Sequence, residues 1–347
     1  MTLGDAELRE TTVLVTGGTG TIGTAIVRRL LATEVAGIRV YSRDEHKQFE
    51  LRRSLPDDPR LRYLIGDTRD LSRLRHAFEN VQVVFHTAAM KHVLSSEYNP
   101  FEAVQTNVIG TQNVIEAALD LGVDRVLFAS SDKAVNPTST MGASKLMAEK
   151  LMSAANVFRG RHQTIFTTVR FGNVVGSRGS VVPLFVDQIA SGGPVTLTDA
   201  RMTRFIMSID HAVELMFKAL GMAHGGEVFV LKMPSLRIED LAVVLRDNLA
   251  QQYGHEPSDV AIEEIGIQAG EKLHEELVTD EELHRCLETD EMFIILPQVI
   301  ALAPGHVEYT YAGSRPASDG SRSDHVDQMT RDELHALLVE ARTIEPT

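Results

Sequence analysis

Three glycines spaced Gly17-x-x-Gly20-x-x-Gly23 separate a β-branched run, residues 12–16, from an apolar helical pattern over 21–31. At such a junction the first glycine permits a tight turn, the second lets the backbone approach a pyrophosphate, and the third lets helix and strand pack closely. The helix N-terminus adds N–H groups and a positive dipole end. Gly17, Thr19, Gly20, Thr21 and Ile22 are therefore read as a dinucleotide-binding turn. NAD-binding chains commonly carry an acidic residue about 20 positions further on, for the ribose diol. Here the next β run ends Tyr41-Ser42-Arg43-Asp44. Ser42 can hydrogen bond to a 2′-phosphate and Arg43 can pair with it, while Asp44 comes too late to serve the diol, so NADP is expected over NAD. Asp67, in Gly66-Asp67, is either a contact for the adenine edge or a solvated turn residue.

Those residues need a frame to hold them. Short β runs at 12–16, 38–41, 62–65, 81–85 and 125–129 alternate with helical patterns, among them one over 103–120 with Val104, Val108, Val114, Ile115 and Leu119 at helical spacing. Such alternation predicts βαβ units: an α/β fold with a Rossmann-type doubly wound parallel sheet, helices on both faces, and a smaller C-terminal α/β lobe for substrate. Residues 1–171 form the dinucleotide-binding domain, with about 205–232 returning to it. Residues 172–204 and 233–300 form the smaller lobe. Residues 304–325, rich in Gly, Ser, Pro and Asp, read as a mobile loop before a last amphipathic helix over about 329–342.

Composition bounds the partners. The 347 residues carry 34 Lys+Arg against 48 Asp+Glu, a net charge of −14, which argues against a general nucleic-acid binder. The charge is uneven: residues 1–233 hold 26 basic and 24 acidic side chains, residues 234–347 hold 8 and 24. The acidity is thus expected on a solvated outer face, away from a pocket for anionic ligands. A single cysteine, Cys286, excludes an internal disulfide and a multi-Cys metal site, and no His/Asp/Glu cluster has metal spacing. The first seven residues lack the basic and apolar regions of a signal peptide. The longest apolar stretch, 292–303, is interrupted by Pro297 and Gln298 and too short to span a bilayer, so a cytoplasmic location is expected.

Several further segments carry a resemblance. Gly66-Asp67, His86-Thr87-Ala88-Ala89, Thr106-Asn107-Val108-Ile109-Gly110-Thr111 and Lys145 resemble an extended short-chain dehydrogenase/reductase. Ser130-Ser131-Asp132-Lys133-Ala134-Val135-Asn136-Pro137, Met141-Gly142-Ala143-Ser144-Lys145, Arg170-Phe171-Gly172-Asn173-Val174, Ser177-Arg178-Gly179-Ser180-Val181 and Gly270-Glu271-Lys272 narrow it. Together they resemble the UDP-N-acetylglucosamine 4,6-dehydratases of capsule and O-antigen pathways, over about residues 11–290. The resemblance implies oxidation of the sugar at C4, loss of the C5 proton and the C6 hydroxyl as water, and hydride return to C6. It makes Lys133 the C5 base, Asp132 the acid at C6, and Lys145 a ligand of the nicotinamide ribose, with Ala88, Ala89 and Asn107 in the cofactor set. A lysine works as a base when burial or nearby cations depress its pKa.

The superfamily's Tyr-x-x-x-Lys is Met141-x-x-x-Lys145 here, as in the branch of the family that inverts C5. A thioether holds no exchangeable proton, so the C4 hydroxyl needs another acceptor: Asp132, Ser131 through a water, or Lys133. For the UDP-sugar, the resemblance points to Lys91, Asn173, Arg178, Ser180, Val181, Leu184, Thr196, Met202, Arg204 and Glu271. Arg178 and Arg204 suit a diphosphate, though Arg204 equally suits a structural ion pair. Asn107 suits either a bridge to catalytic water or a local hydrogen bond, and His86 reads as a satisfied core histidine. A homo-oligomer, dimer or hexamer, is expected. The rival functions are a UDP-sugar C4-epimerase and a nucleotide-binding protein without turnover.

Overall fold

A computed structural model describes residues 8–298 and 308–345. Its strands in chain order begin β1 (Thr12–Thr16), β2 (Gly37–Ser42), β3 (Leu61–Ile65), β4 (Val83–His86), β5 (Arg125–Ala129), β6 (Ile165–Arg170), β7 (Asn173–Val174) and β8 (Val195–Leu197). They continue with β9 (Thr203–Met207), β10 (Val228–Leu231), β11 (Ser235–Arg237), β12 (Ile262–Glu264), β13 (Cys286–Glu288), β14 (Met292–Ile295) and β15 (Arg315–Pro316). Ten of them form one sheet, ordered β15-β13-β14-β10-β6-β5-β4-β1-β2-β3.

From β3 across to β10 every neighbouring pair is parallel, and β14, β13 and β15 add antiparallel strands at one end. Helices cover the parallel strands, so runs such as Val83–His86 and Val228–Leu231 are buried at every residue. The chain winds outward from β1 in two directions, to β2 on one side and β4 on the other. At that reversal the carboxyl ends of the strands open a crevice where α/β proteins bind ligands.

The smaller lobe has a three-stranded sheet, β11-β9-β7, and a two-stranded one, β12-β8. Its helices Val181–Ala190 and Ile238–Leu249 share an apolar cluster with the C-terminal helix Arg331–Glu340, through Phe185, Ile189, Leu241, Leu245, Leu334 and Leu338.

Three elements differ from the sequence reading. β13 and β14, expected in the smaller lobe, extend the main sheet, because Met292–Ile295 is apolar throughout and pairs with β10. The helix expected over 103–120 is interrupted by a π-helical turn, Val104–Ile109, before Gly110–Leu121. A π turn preserves an approximate helical period, which hides it from spacing arguments. The segment read as a mobile loop is tied down wherever it is described. Tyr311 is buried and donates to Glu227 at 2.7 Å, Ser323 is fully buried, and β15 pairs with β13. Residues 304–307 of that loop, 299–303 of the apolar stretch and 1–7 of the N-terminus lie outside the described residues. Among the described residues no helix is long and apolar enough to cross a membrane.

Candidate functional site

A cavity of about 860 Å³ follows the carboxyl ends of the strands. At one end stands the glycine turn. Gly17 has a φ of 67°, and a Cβ on it would lie 2.7 Å from the backbone N of Ala88. A Cβ on Gly23 would lie 2.3 Å from Gly17 O, so neither position admits a side chain. The helix Thr21–Leu31 begins at Gly20 with no side-chain cap, leaving its first N–H groups available to an anion. A turn that only glycine can make and an uncapped helix start fit a dinucleotide pyrophosphate. Thr19, Thr21, Ile22, Ala88 and Ala89 line the same end of the cavity.

Further along, Ser42 is buried and its hydroxyl accepts from Gln48 at 3.1 Å, while the more exposed Arg43 guanidinium lies 3.4 Å from Asp67. Asp44 caps the helix Glu45–Ser54 and pairs with Lys47 Nζ at 3.2 Å. Lys47 thereby joins Ser42 and Arg43 on the cavity wall, a cation the sequence reading did not single out.

Two residues of the cofactor set do not line the cavity. Asp67 is held at its rim by Arg69 at 2.8 Å and by Arg43. Asn107, in the π turn, uses its amide on the backbone N and O of Met90, at 2.8 and 3.0 Å, and on Ser144 at 2.9 Å. It ties the chain beside Lys91 to Ser144 on the helix that carries Lys145.

The Ser131-Asp132-Lys133 segment follows from β5. Asp132–Ala134 make a single helical turn capped by Ser131, whose Oγ accepts from Lys133 N at 3.2 Å. Asp132 is fully buried beneath the cavity surface. Its Oδ1 accepts from Ser131 Oγ at 2.9 Å and from Lys133 Nζ at 3.0 Å, and its Oδ2 has no partner. Lys133, with a side chain 25% exposed, reaches the cavity and also lies 3.3 Å from Asn173 Oδ1 and 3.8 Å from Glu275 Oε1.

Burial works to lower the Lys133 pKa, but Asp132 and Glu275 outweigh it and hold the ammonium above its ordinary range, with Arg204 opposing weakly. The expectation of a depressed lysine is thus reversed, because the decisive neighbours are carboxylates.

Met141 is buried on the first turn of the helix Thr140–Phe158, with Lys145 one turn on, and both line the cavity. Lys145 donates to Ala129 O at 2.9 Å and stands 4.6 Å over the Phe128 ring. Burial pulls its pKa down to about 8 against the pull of Glu149. The Ser130 hydroxyl is buried there without a partner. His86 is satisfied on both ring nitrogens by Thr16 and Thr111, at 2.7 and 3.1 Å, and burial pushes its pKa down to about 3.

On the other wall are Lys91, Asn173, Arg178, Ser180, Val181, Met202, Arg204 and Glu271, with the buried Ser180 hydroxyl unpartnered. Arg178 crosses to the glycine turn: its N donates to Thr21 Oγ1 at 3.2 Å and its guanidinium to Thr19 O. Lys91 Nζ in turn donates to Arg178 O.

Arg204 is nearly buried and donates to the carbonyls of Thr203, Lys272 and Leu273 at 2.7, 2.9 and 3.2 Å. With Glu275 3.8 Å away, it acts as a framework cation at the cavity edge. Leu184 and Thr196 stand outside. Leu184 is half exposed on its helix, and strand alternation sends Val195 and Leu197 inward while Thr196 accepts from Gln188 at 2.7 Å. The acidic last third also reaches the site: Glu275 is 2% exposed beside Lys133, which corrects the reading of that acidity as outer surface alone. Among the described residues no group of His, Cys, Asp and Glu could hold a metal.

Residues 13–297 match the model of a family described as polysaccharide biosynthesis protein. A Campylobacter jejuni protein named UDP-N-acetylglucosamine 4,6-dehydratase (inverting) is 44% identical over 289 residues, 83% of each chain. A Rickettsia conorii protein named UDP-glucose 4-epimerase is 42% identical over 276 residues, 78% of this chain and 79% of that one. The crystal structure of Pen from Bacillus thuringiensis superposes with a TM-score of 0.89 at 43% identity, covering 96% of this chain and 98% of that one.

Proposed function

The chain belongs to the polysaccharide biosynthesis protein family of extended short-chain dehydrogenases/reductases, and from that premise we propose that it is an NADP-dependent UDP-N-acetylglucosamine 4,6-dehydratase that inverts C5. The observation that carries the proposal is the Asp132–Lys133 contact at the cavity floor, 3.0 Å long and next to a Met141-x-x-x-Lys145 helix.

The chemistry that a nicotinamide brings to such a site is hydride acceptance at the sugar C4 and hydride return at C6. Once C4 is a ketone, the C5 proton is acidic. The resting pair is an ammonium and a carboxylate, and shifting one proton from Lys133 Nζ to Asp132 Oδ1 yields an amine and an acid with no net gain of protons. The amine then takes the C5 proton, the acid protonates the departing C6 hydroxyl, and water leaves. This returns Lys133 to the ammonium and Asp132 to the carboxylate. Delivery of the lysine proton to the opposite face of C5 gives the inverted product, and the C4 hydroxyl proton, released as hydride leaves and passed through Ser131 and a water, restores the ammonium of Lys133. Lys145 serves the nicotinamide ribose, and Arg178, lying across the glycine turn, serves phosphate.

Mass spectrometry after incubation with UDP-N-acetylglucosamine tests the reaction: loss of one water is expected, and an unchanged mass refutes it. Proton NMR of the product formed in deuterated water then reads the C5 configuration, and retained geometry removes the inverting version. The Rickettsia relative's name favours a second reading, C4 epimerisation, whose mark is a product that keeps its C6 hydroxyl. The absence of a phenol at position 141 weighs against it.

Two substitutions probe the parts. Met141→Leu conserves volume and removes only the sulfur, so turnover should stay within about threefold of wild type, with a stability cost below about 1.5 kcal/mol. A loss of tenfold or more would assign the thioether a role. Arg43→Ala with Lys47→Ala removes both exposed cations beside Ser42. NADPH affinity in fluorescence titrations should fall by about tenfold or more while NADH affinity changes little, since each charge-assisted hydrogen bond contributes about 1.5–3 kcal/mol before solvent screening. Equal losses for both cofactors would overturn the NADP assignment.

A further inference from the structure

Glu275 comes from the acidic last third of the chain, yet its carboxylate is buried against the reactive lysine. Oε1 lies 3.8 Å from both Lys133 Nζ and Arg204 Nε, and Oε2 has no hydrogen-bond partner. At that separation the contact is between charges and is not a hydrogen bond. The carboxylate is held there by its backbone. Glu275 N donates to the fully buried Ser323 Oγ at 2.9 Å, and Ser323 N donates back to Glu275 O at 2.9 Å. Flanking residues fasten the same segment to the reactive turn: Lys272 Nζ donates to Val135 O, and Asn136 donates to Glu276 at 2.7 Å.

We propose that Glu275 is a positioning residue acting through Lys133: it holds the lysine as an ammonium after proton abstraction from C5, and so keeps that proton in place until it is returned to the sugar. Four groups face one another here, Asp132 from the reactive turn, Glu275, Arg204 from β9 and Lys133 itself, with the neutral Asn173 from β7 alongside. The four groups balance while the Lys133 proton stays among them, on Nζ or passed across to Asp132. Drawing the proton out of the group altogether leaves a net negative charge in a buried site, which is unfavourable. In the elimination the C5–H bond breaks, its electron pair forms the C5–C6 double bond as the C6–O bond departs with its own pair, and the proton binds Lys133 Nζ. Glu275 favours that product state. When hydride adds at C6, the same N–H bond breaks and the proton goes to C5.

The inference rests on the dehydratase reading for the sugar chemistry, but the lysine's titration can be read without substrate. In protein labelled with ¹³C at lysine Cε, the Lys133 signal is identified by its loss in Lys133→Arg and titrated by NMR. Removing an opposite charge at this distance in Glu275→Gln should lower the Lys133 midpoint by about 1–3 pH units. Glu275→Asp, which withdraws the carboxylate by one methylene, should lower it less, and it decides the matter alone if the glutamine variant does not fold. The pH profile of kcat should move in parallel while KM for UDP-N-acetylglucosamine stays near wild type. A Lys133 midpoint unmoved in the folded variants overturns the proposal. Wild-type protein that binds the nucleotides without releasing water refutes the dehydratase reading instead, and leaves the titration to decide on Glu275.

Discussion

Lys133→Arg is expected to fold, bind UDP-N-acetylglucosamine and release no water, with turnover lowered by about 10²–10⁴-fold, the usual contribution of a positioned general base. An arginine keeps a cation facing Asp132 and Glu275, yet a guanidinium does not give up its proton near neutral pH. The substitution therefore separates proton transfer from electrostatic support. Lys133→Ala should be as inactive and also less stable, since it leaves the buried Asp132 carboxylate without its cation. The cost should stay below the about 3–5 kcal/mol of a fully buried pair, because the Lys133 side chain is 25% exposed and screened. Single-turnover mass spectrometry and a urea titration of both variants give the two readouts. If Lys133→Arg keeps turnover within tenfold of wild type, the lysine is not the base at C5.

The second large effect concerns stability. Arg170 is fully buried between Glu149 and Glu282, at 2.7 and 3.0 Å, and also donates to Leu277 O at 2.9 Å. Both carboxylates hold the arginine firmly protonated, and Arg170 in turn outweighs burial to keep Glu282 below its ordinary range. Arg170→Met would strand two buried carboxylates at a cost of about 3–5 kcal/mol, against a typical total stability of about 5–15. The urea midpoint should collapse.

The sign of the pH dependence follows. Stranded glutamates have folded pKa values above their unfolded value of about 4.3, so their penalty is absent below that pH and grows as pH rises. The variant should therefore be more nearly native at pH 5 than at pH 8. Adding Glu149→Gln and Glu282→Gln should recover part of the loss and flatten that dependence. A single Arg170→Met variant with a wild-type midpoint would show that the triad contributes little.

Legibility in the sequence followed the range of the interactions. The glycine turn is local: strand, three glycines and helix lie within about 20 residues, and backbone conformation alone dictates them. Parallel strands buried on both faces announce themselves as apolar runs, which is why β1 to β5 could be read directly. Asp132 and Lys133 were found through a resemblance, and the sign of the lysine's shift comes from Asp132 beside it in sequence together with Glu275, which meets it only through tertiary structure. Thr196 was named through the resemblance, and its hydroxyl is engaged by Gln188, a partner on the neighbouring helix. The segment after residue 308 misled by composition: its glycines and serines are those of a loop, but Ser323, Tyr309 and Tyr311 engage their hydroxyl groups with distant partners. Cations such as Lys47 depend on a helix cap, a short-range feature that Asp44 does carry in the sequence.

Pro316 gives the main sheet its end. Strand addition needs a free row of N–H and C=O groups, and a two-residue outer strand with a proline in it, paired to β13 at Leu287 and Glu288, offers very little of one. Behind it β14 and β10 are apolar at every residue and would recruit another chain if bared. The C-terminal segment is thus a guard against edge-to-edge aggregation as well as a brace for Glu275, and any shortened version of this protein has to run past Pro316 and Ser323 to keep both.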